Sequence, residues 1–134
     1  MSFCTAINCM DGRAQEPVLG YLKKRFGVRY VDTITEPGPN RILATGEPPD
    51  RAASILERCD LSVRKHGSRG IAVVGHHDCA GNPADGVAQA EHLRQAVARL
   101  RRHYPDLEVI ALWLDESFRV HEPGGERWNP GGVP

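Results

Sequence analysis

The chain has 134 residues, with 17 lysines and arginines against 17 aspartates and glutamates, so its formal net charge is zero. That balance excludes the basic field that draws a protein to nucleic acid or anionic lipid, and no run approaches the ~20 apolar residues of a membrane span. A 40% apolar fraction suits one soluble domain over residues 1–134 with its own core, and no repeat, linker or low-complexity block divides it.

The residues from Phe3 to Cys9 form a short apolar run ending in the polar turn Met10-Asp11-Gly12-Arg13, which predicts a buried strand. No basic segment precedes this run, so no targeting signal is read and a cytoplasmic location is expected. Pro17 opens a helical pattern with Val18, Leu19, Leu22 and Phe26 on one face, and Gly27 closes it. Arg29 to Ile34 is a second strand, followed by Glu36-Pro37-Gly38-Pro39-Asn40, read as a loop. After Pro48-Pro49, a longer helix carries Ala52, Ile55, Leu56, Cys59 and Val63 and stops at Gly67. Ile71 to Gly75 is almost wholly apolar, which implies a strand buried on both faces. A glycine-containing loop, His76 to Asp85, leads to an amphipathic helix from Val87 to about His103, and Leu107 to Leu114 is a fourth strand. Residues 116–134 are rich in glycine and proline and read as an irregular tail, with an edge strand at Phe118 to His121.

Strands alternating with helices imply right-handed parallel crossovers. The expected fold is a single α/β domain with a mostly parallel sheet of four to five strands, in order 2-1-3-4, flanked by helices. In such a sheet ligands collect beyond the carboxyl ends of the strands, where the strand order reverses. Cys9 ends the first strand, and His76 and Cys79 follow the third, so three metal-competent side chains are expected to converge there. His77 is a rival for His76, since it too is close to Cys79.

Two cysteines and a histidine suit Zn²⁺, which accepts thiolate and imidazole in a tetrahedral shell. Three protein ligands leave the fourth position open, as in catalytic zinc sites. A water there ionises near pH ~7 rather than ~16. Two thiolates would make that water less acidic than three histidines do, which predicts activity at neutral to alkaline pH. Asp11 and Arg13 follow the first ligand. The carboxylate suits a hydrogen bond from the activated water, with Arg13 holding it through a fork, or it ligates the metal itself and closes the site.

The sequence Cys9-x-Asp11-x-Arg13, followed by His76-x-x-Cys79 within Val73-Val74-Gly75-His76-His77-Asp78-Cys79-Ala80-Gly81, resembles the paired signature of the β-class carbonic anhydrases. The resemblance runs over about residues 3–115 and selects His76 over His77. It implies Cys9, His76 and Cys79 as zinc ligands and Asp11 and Arg13 as the catalytic Asp–Arg dyad. It further implies a lyase that reversibly hydrates carbon dioxide to bicarbonate, assembled as a homodimer or higher homo-oligomer. The chain departs from the family pattern in the missing amino-terminal helical arm, in Glu36 to Asn40 where an Arg-Asn-Ala-Gly-Asn type of loop is usual, and in Gly12 where serine is common. Carbonyl sulfide or carbon disulfide hydrolysis on the same site, or a non-catalytic zinc-binding regulatory module, are the alternative expectations.

Other groups read as structural. Cys4 and Cys59 sit in apolar contexts as buried thiols, His66 as a helix-terminal residue favoured by the dipole, and His92 and His103 as exposed helix positions. Trp113 and Trp128 read as packing residues. Asp78 is read as orienting His77 or a loop amide, and His121 as a candidate proton shuttle. Arg13 follows Cys9 too soon for a phosphatase loop, and the glycine-rich phosphate-binding patterns are missing.

Overall fold

The computed structural model describes residues 1–124. Its sheet has five strands in the order β2-β1-β3-β4-β5: β1 (Phe3–Cys9), β2 (Tyr30–Glu36), β3 (Gly70–His76), β4 (Glu108–Leu114) and β5 (Val120–His121). The first four run parallel, as the alternation of elements requires, and β5 returns antiparallel along Trp113 and Leu114. Four helices connect them: α1 (Gln15–Phe26), α2 (Pro39–Thr45), α3 (Pro49–His66) and α4 (Gly86–His103), with a short 3-10 turn at Gly12–Ala14.

Two apolar layers cover the sheet. On one face Cys4, Ala6, Ala72, Val74, Ile110 and Leu112 pack with Val18 and Leu22 of α1. On the other, Ile7, Ile71, Val73, Val109 and Trp113 pack with Leu43 of α2, Ile55 of α3, and Leu93, Val97 and Leu100 of α4. Neighbours along one strand, such as Ala72 and Val73, point to opposite layers because side chains alternate across a pleated strand. Each large aliphatic buried this way contributes about 1.5–3 kcal/mol. Every residue of β3 is buried, which is why its sequence carries no polar alternation.

Helix ends follow local chemistry. Gly27, Gly46 and Gly67 close α1, α2 and α3 in the left-handed conformation, and Arg64, Lys65 and His66 end α3 where the helix dipole favours positive charge. His66 also bonds Asp32 through Nδ1 at 2.6 Å. Cys4 and Cys59 are fully buried and Trp113 packs in the core, as expected. His103 is exposed, but His92 is half-buried and accepts from Asn82 at 3.0 Å, so its reading as an exposed position is corrected. The stretch Glu36 to Asn40 is not wholly a loop: β2 runs through Glu36 and α2 begins at Pro39, where proline's fixed φ suits a first helical turn. The edge strand is shorter than expected, because Phe118 sits in a turn at φ 56° and only Val120 and His121 pair. Trp128 and the tail beyond residue 124 lie outside the described residues. Among those described, no helix is long and apolar enough to cross a membrane.

Candidate metal centre

The two central strands β1 and β3 end side by side, and the chain leaves them in opposite directions: β1 into the turn before α1, β3 into the loop before α4. Cys9, His76 and Cys79 therefore meet where the strand order reverses. Their donor atoms all lie within 4.8 Å of one another, and all three residues are buried. The two sulphurs are 3.8 Å apart. His77, the rival, is exposed, because it lies one residue beyond the strand and its backbone N–H is taken by the carbonyl of Leu114.

His76 is set up as a donor of electrons. Its Nδ1 lies 2.7 Å from the carbonyl oxygen of His77; that oxygen only accepts, so Nδ1 carries the proton. Nε2 is left with a bare lone pair, and it is the sole buried side-chain nitrogen or oxygen among the described residues with no hydrogen-bond partner. Burying such an atom unpaired is costly, unless it has a ligand to bind. Two thiols and a fixed imidazole tautomer form a donor set that fits a zinc ion.

The electrostatics point the same way. The hydrogen bond from Cys79 lowers the pKa of the Cys9 thiol against the opposing effect of burial, and the backbone N–H groups of Gly38 and Asp11 add to it. Cys79 is pushed far up, first by that hydrogen bond and then by burial. At 3.8 Å one thiol can donate to the other, and a soft cation binding between them would displace thiol protons. Burial acts against protonation of His76, but the Cys9 sulphur and the His77 carbonyl outweigh it and raise its pKa.

Asp11 and Arg13 flank this cluster. Asp11 Oδ2 is 4.0 Å from His76 Nε2. Arg13 donates to it through a fork, Nη2 to Oδ2 at 2.7 Å and Nε to Oδ1 at 3.1 Å, and its backbone N–H adds a third bond at 2.9 Å. These bonds hold the Asp11 carboxyl at about 2. Gln15 pins the turn by donating to the carbonyls of Cys9 and Asp11, each at 2.8 Å. Asp78 does not orient His77. Its carbonyl accepts from Arg13 at 3.2 Å and its carboxylate at 3.4 Å, with its backbone at φ 56°.

Two groups at the site had not been anticipated. Phe118 lies beneath the Arg13 guanidinium, 4.7 Å from ring centroid to carbon, and 5.7 Å from the His76 ring. Asp115 builds the turn that puts it there, accepting from the backbone of Ser117 and Arg119. His121 Nε2 bonds the same carboxylate at 2.8 Å, so it serves this turn and is not aimed at the centre. The second group is an amide cluster behind the ligands, Asn40, Asn82 and Gln89, each 1% exposed. Gln89 stands four residues before Leu93 on the buried stripe of α4, and a polar residue on an apolar stripe was a legible signal of it.

Residues 1–123 match a family described as "Putative carbonic anhydrase". The chain is similar to a solved structure from a study of two tetrameric β-carbonic anhydrases of the filamentous ascomycete Sordaria macrospora. Identity there is 14% and the TM-score 0.51, covering 91% of this chain and 80% of that one. It is also similar to the β-carbonic anhydrase CafA of the fungal pathogen Aspergillus fumigatus, at 15% identity and TM-score 0.45, covering 90% of this chain and 74% of that one. Comparison with curated proteins gives no match. The first of these likenesses is one of fold: a mostly parallel α/β sheet in the order 2-1-3-4-5.

Proposed function

The chain belongs to the carbonic anhydrase family so matched, and on that premise we propose that it is a zinc lyase that reversibly hydrates carbon dioxide to bicarbonate. The observation that carries this reading is the bare Nε2 of buried His76, facing two thiols 3.8 Å apart and standing 4.0 Å from the carboxylate of Asp11. Cys9, His76 and Cys79 would hold the ion. When bound, zinc supplies a Lewis acid that makes a water molecule ionisable near neutral pH.

The chain's own residues supply the rest. Asp11, ionised at any working pH, accepts a hydrogen bond from the reacting water and so turns the oxygen lone pair toward the carbon of carbon dioxide. Carbon dioxide and water give bicarbonate and one proton, and that proton leaves to solvent or buffer. Arg13 grips both carboxylate oxygens, which supports Asp11 as an orienting group over Asp11 as a fourth ligand. Phe118 walls one side with apolar surface, which suits a small uncharged substrate. We further propose a cytoplasmic homo-oligomer; the neutral net charge and the tetrameric state of the Sordaria proteins support assembly.

Stopped-flow hydration of carbon dioxide by the zinc-loaded protein across pH 7–9 tests the reading, with Cys9→Ala as control. A rate well above the control is expected, rising toward alkaline pH because two thiolates soften the acidity of the bound water. Zinc at one per chain with no rate above the control would leave a non-catalytic zinc module.

A further inference from the structure

The loop of residues 77–85 carries Cys79 between β3 and α4, yet it belongs to neither element. Its placement decides whether Cys79 meets the other two ligands. Three buried amides that the chemistry proposed above does not use cluster there: Asn82 of the loop itself, Asn40 of α2 and Gln89 of α4. A buried amide without hydrogen bonds is costly, and a leucine would fill the same stripe of α4 without that cost.

Gln89 ties both ends of the segment that carries Cys79 to α2. Its Nε2 donates to the carbonyl of His76 at 2.9 Å and to the carbonyl of Asn82 at 3.1 Å, so one amide holds both ends of the segment carrying Cys79. Its Oε1 accepts from Asn40 Nδ2 at 3.1 Å. Asn40 lies on α2, two residues beyond Gly38, whose backbone N–H serves the Cys9 sulphur. Asn82 completes the cluster, donating to Asn40 Oδ1 at 3.3 Å and to His92 at 3.0 Å. The backbone makes room for it: a Cβ on Gly75 would lie 2.8 Å from Asn40 Nδ2 and 2.9 Å from Gln89 Oε1.

We propose that Gln89 is a positioning residue for the metal centre, setting the spacing of His76 and Cys79 directly and the approach of Cys9 through Asn40. The proposal rests on the zinc reading above, and its test separates the two. Wild type, Gln89→Met (similar length, no N–H) and Gln89→Asn (an amide one methylene short) are titrated with zinc and with cobalt(II) against a chelator. Cobalt d–d and thiolate charge-transfer bands report ligand geometry, and thermal unfolding of the metal-free proteins reports packing. Zinc affinity is expected to fall roughly ten-fold or more in Gln89→Met, with shifted cobalt bands and a folded metal-free protein. If Gln89→Met does not fold, Gln89→Asn carries the same expectation, since it cannot span both carbonyls. Unchanged affinity and bands, with metal-free and metal-loaded forms destabilised alike, would reduce Gln89 to a packing residue and overturn the proposal. A wild type that takes up neither zinc nor cobalt overturns the metal reading, and the proposal with it.

Discussion

The sulphur atoms of Cys9 and Cys79, seventy residues apart in sequence, lie 3.8 Å from each other, well beyond the ~2.05 Å of a disulfide. They face a buried imidazole nitrogen that has no hydrogen-bond partner. Protein purified without chelator is therefore expected to carry one zinc per chain. Cys79→Ala should weaken zinc binding by more than about 100-fold, because each ligand bond lost removes several kcal/mol of metal binding energy. Elemental analysis and chelator competition measure both, and wild-type protein without metal after growth in zinc would refute the site.

Asp11→Asn should lower kcat by about 100-fold or more with zinc retained, the range associated with a positioned acid–base or orienting group. Arg13→Lys should recover little of what Arg13→Ala loses, since a lysine cannot reproduce the two-pronged grip on the carboxylate. Steady-state rates with zinc content held equal provide the comparison.

Cys4 and Cys59 give the fold an alkaline weakness. Burial is the main cause that moves each thiol from 9.0 up to about 11, and both are fully buried. The folded state thus keeps protons that the unfolded chain releases above pH 9. The stabilisation is complete below about pH 9 and is lost as pH rises to about 11, some 2–3 kcal/mol for each thiol. Urea unfolding between pH 8 and pH 10.5 should show this decline, and Cys59→Ala should flatten it; identical slopes in both proteins would contradict the assignment.

Glycine positions divide sharply. Gly38 has φ +63° and a Cβ there would lie 2.6 Å from the carbonyl carbon of Gly81, so Gly38→Ala should cost at least about 2 kcal/mol and weaken metal binding together. Gly20 is exposed in α1 with nothing within 4 Å of a Cβ, and Gly20→Ala should stabilise by about 0.5–1 kcal/mol. Thermal melts with and without zinc distinguish the two.

The strand order and the meeting of Cys9, His76 and Cys79 were legible because apolar runs alternated with helical stripes, and each ligand abutted a strand end. The choice of His76 rests on the motif as a whole; His76 is the buried last residue of β3, while His77 lies beyond the strand and is exposed. The start of α2 was hidden because Pro37, Gly38 and Pro39 read as loop punctuation, though a proline at the first helical turn is also a start signal. Phe118 was not legible at all. Its left-handed backbone is unusual for a bulky side chain, and its role depends on Asp115 folding a turn no periodicity announces. Asn40 and Asn82 look like loop residues until their burial is known.

Phe118 closes over Arg13 and His76, so the centre is complete only once residues far apart in the sequence have been made. Cys9 leaves the ribosome well before its partners His76 and Cys79, and Phe118 follows them. At about 5–20 residues per second, the first thiol spends several seconds without its mates. Over that interval the Cys9 thiol lacks both the burial and the partners that the folded centre gives it.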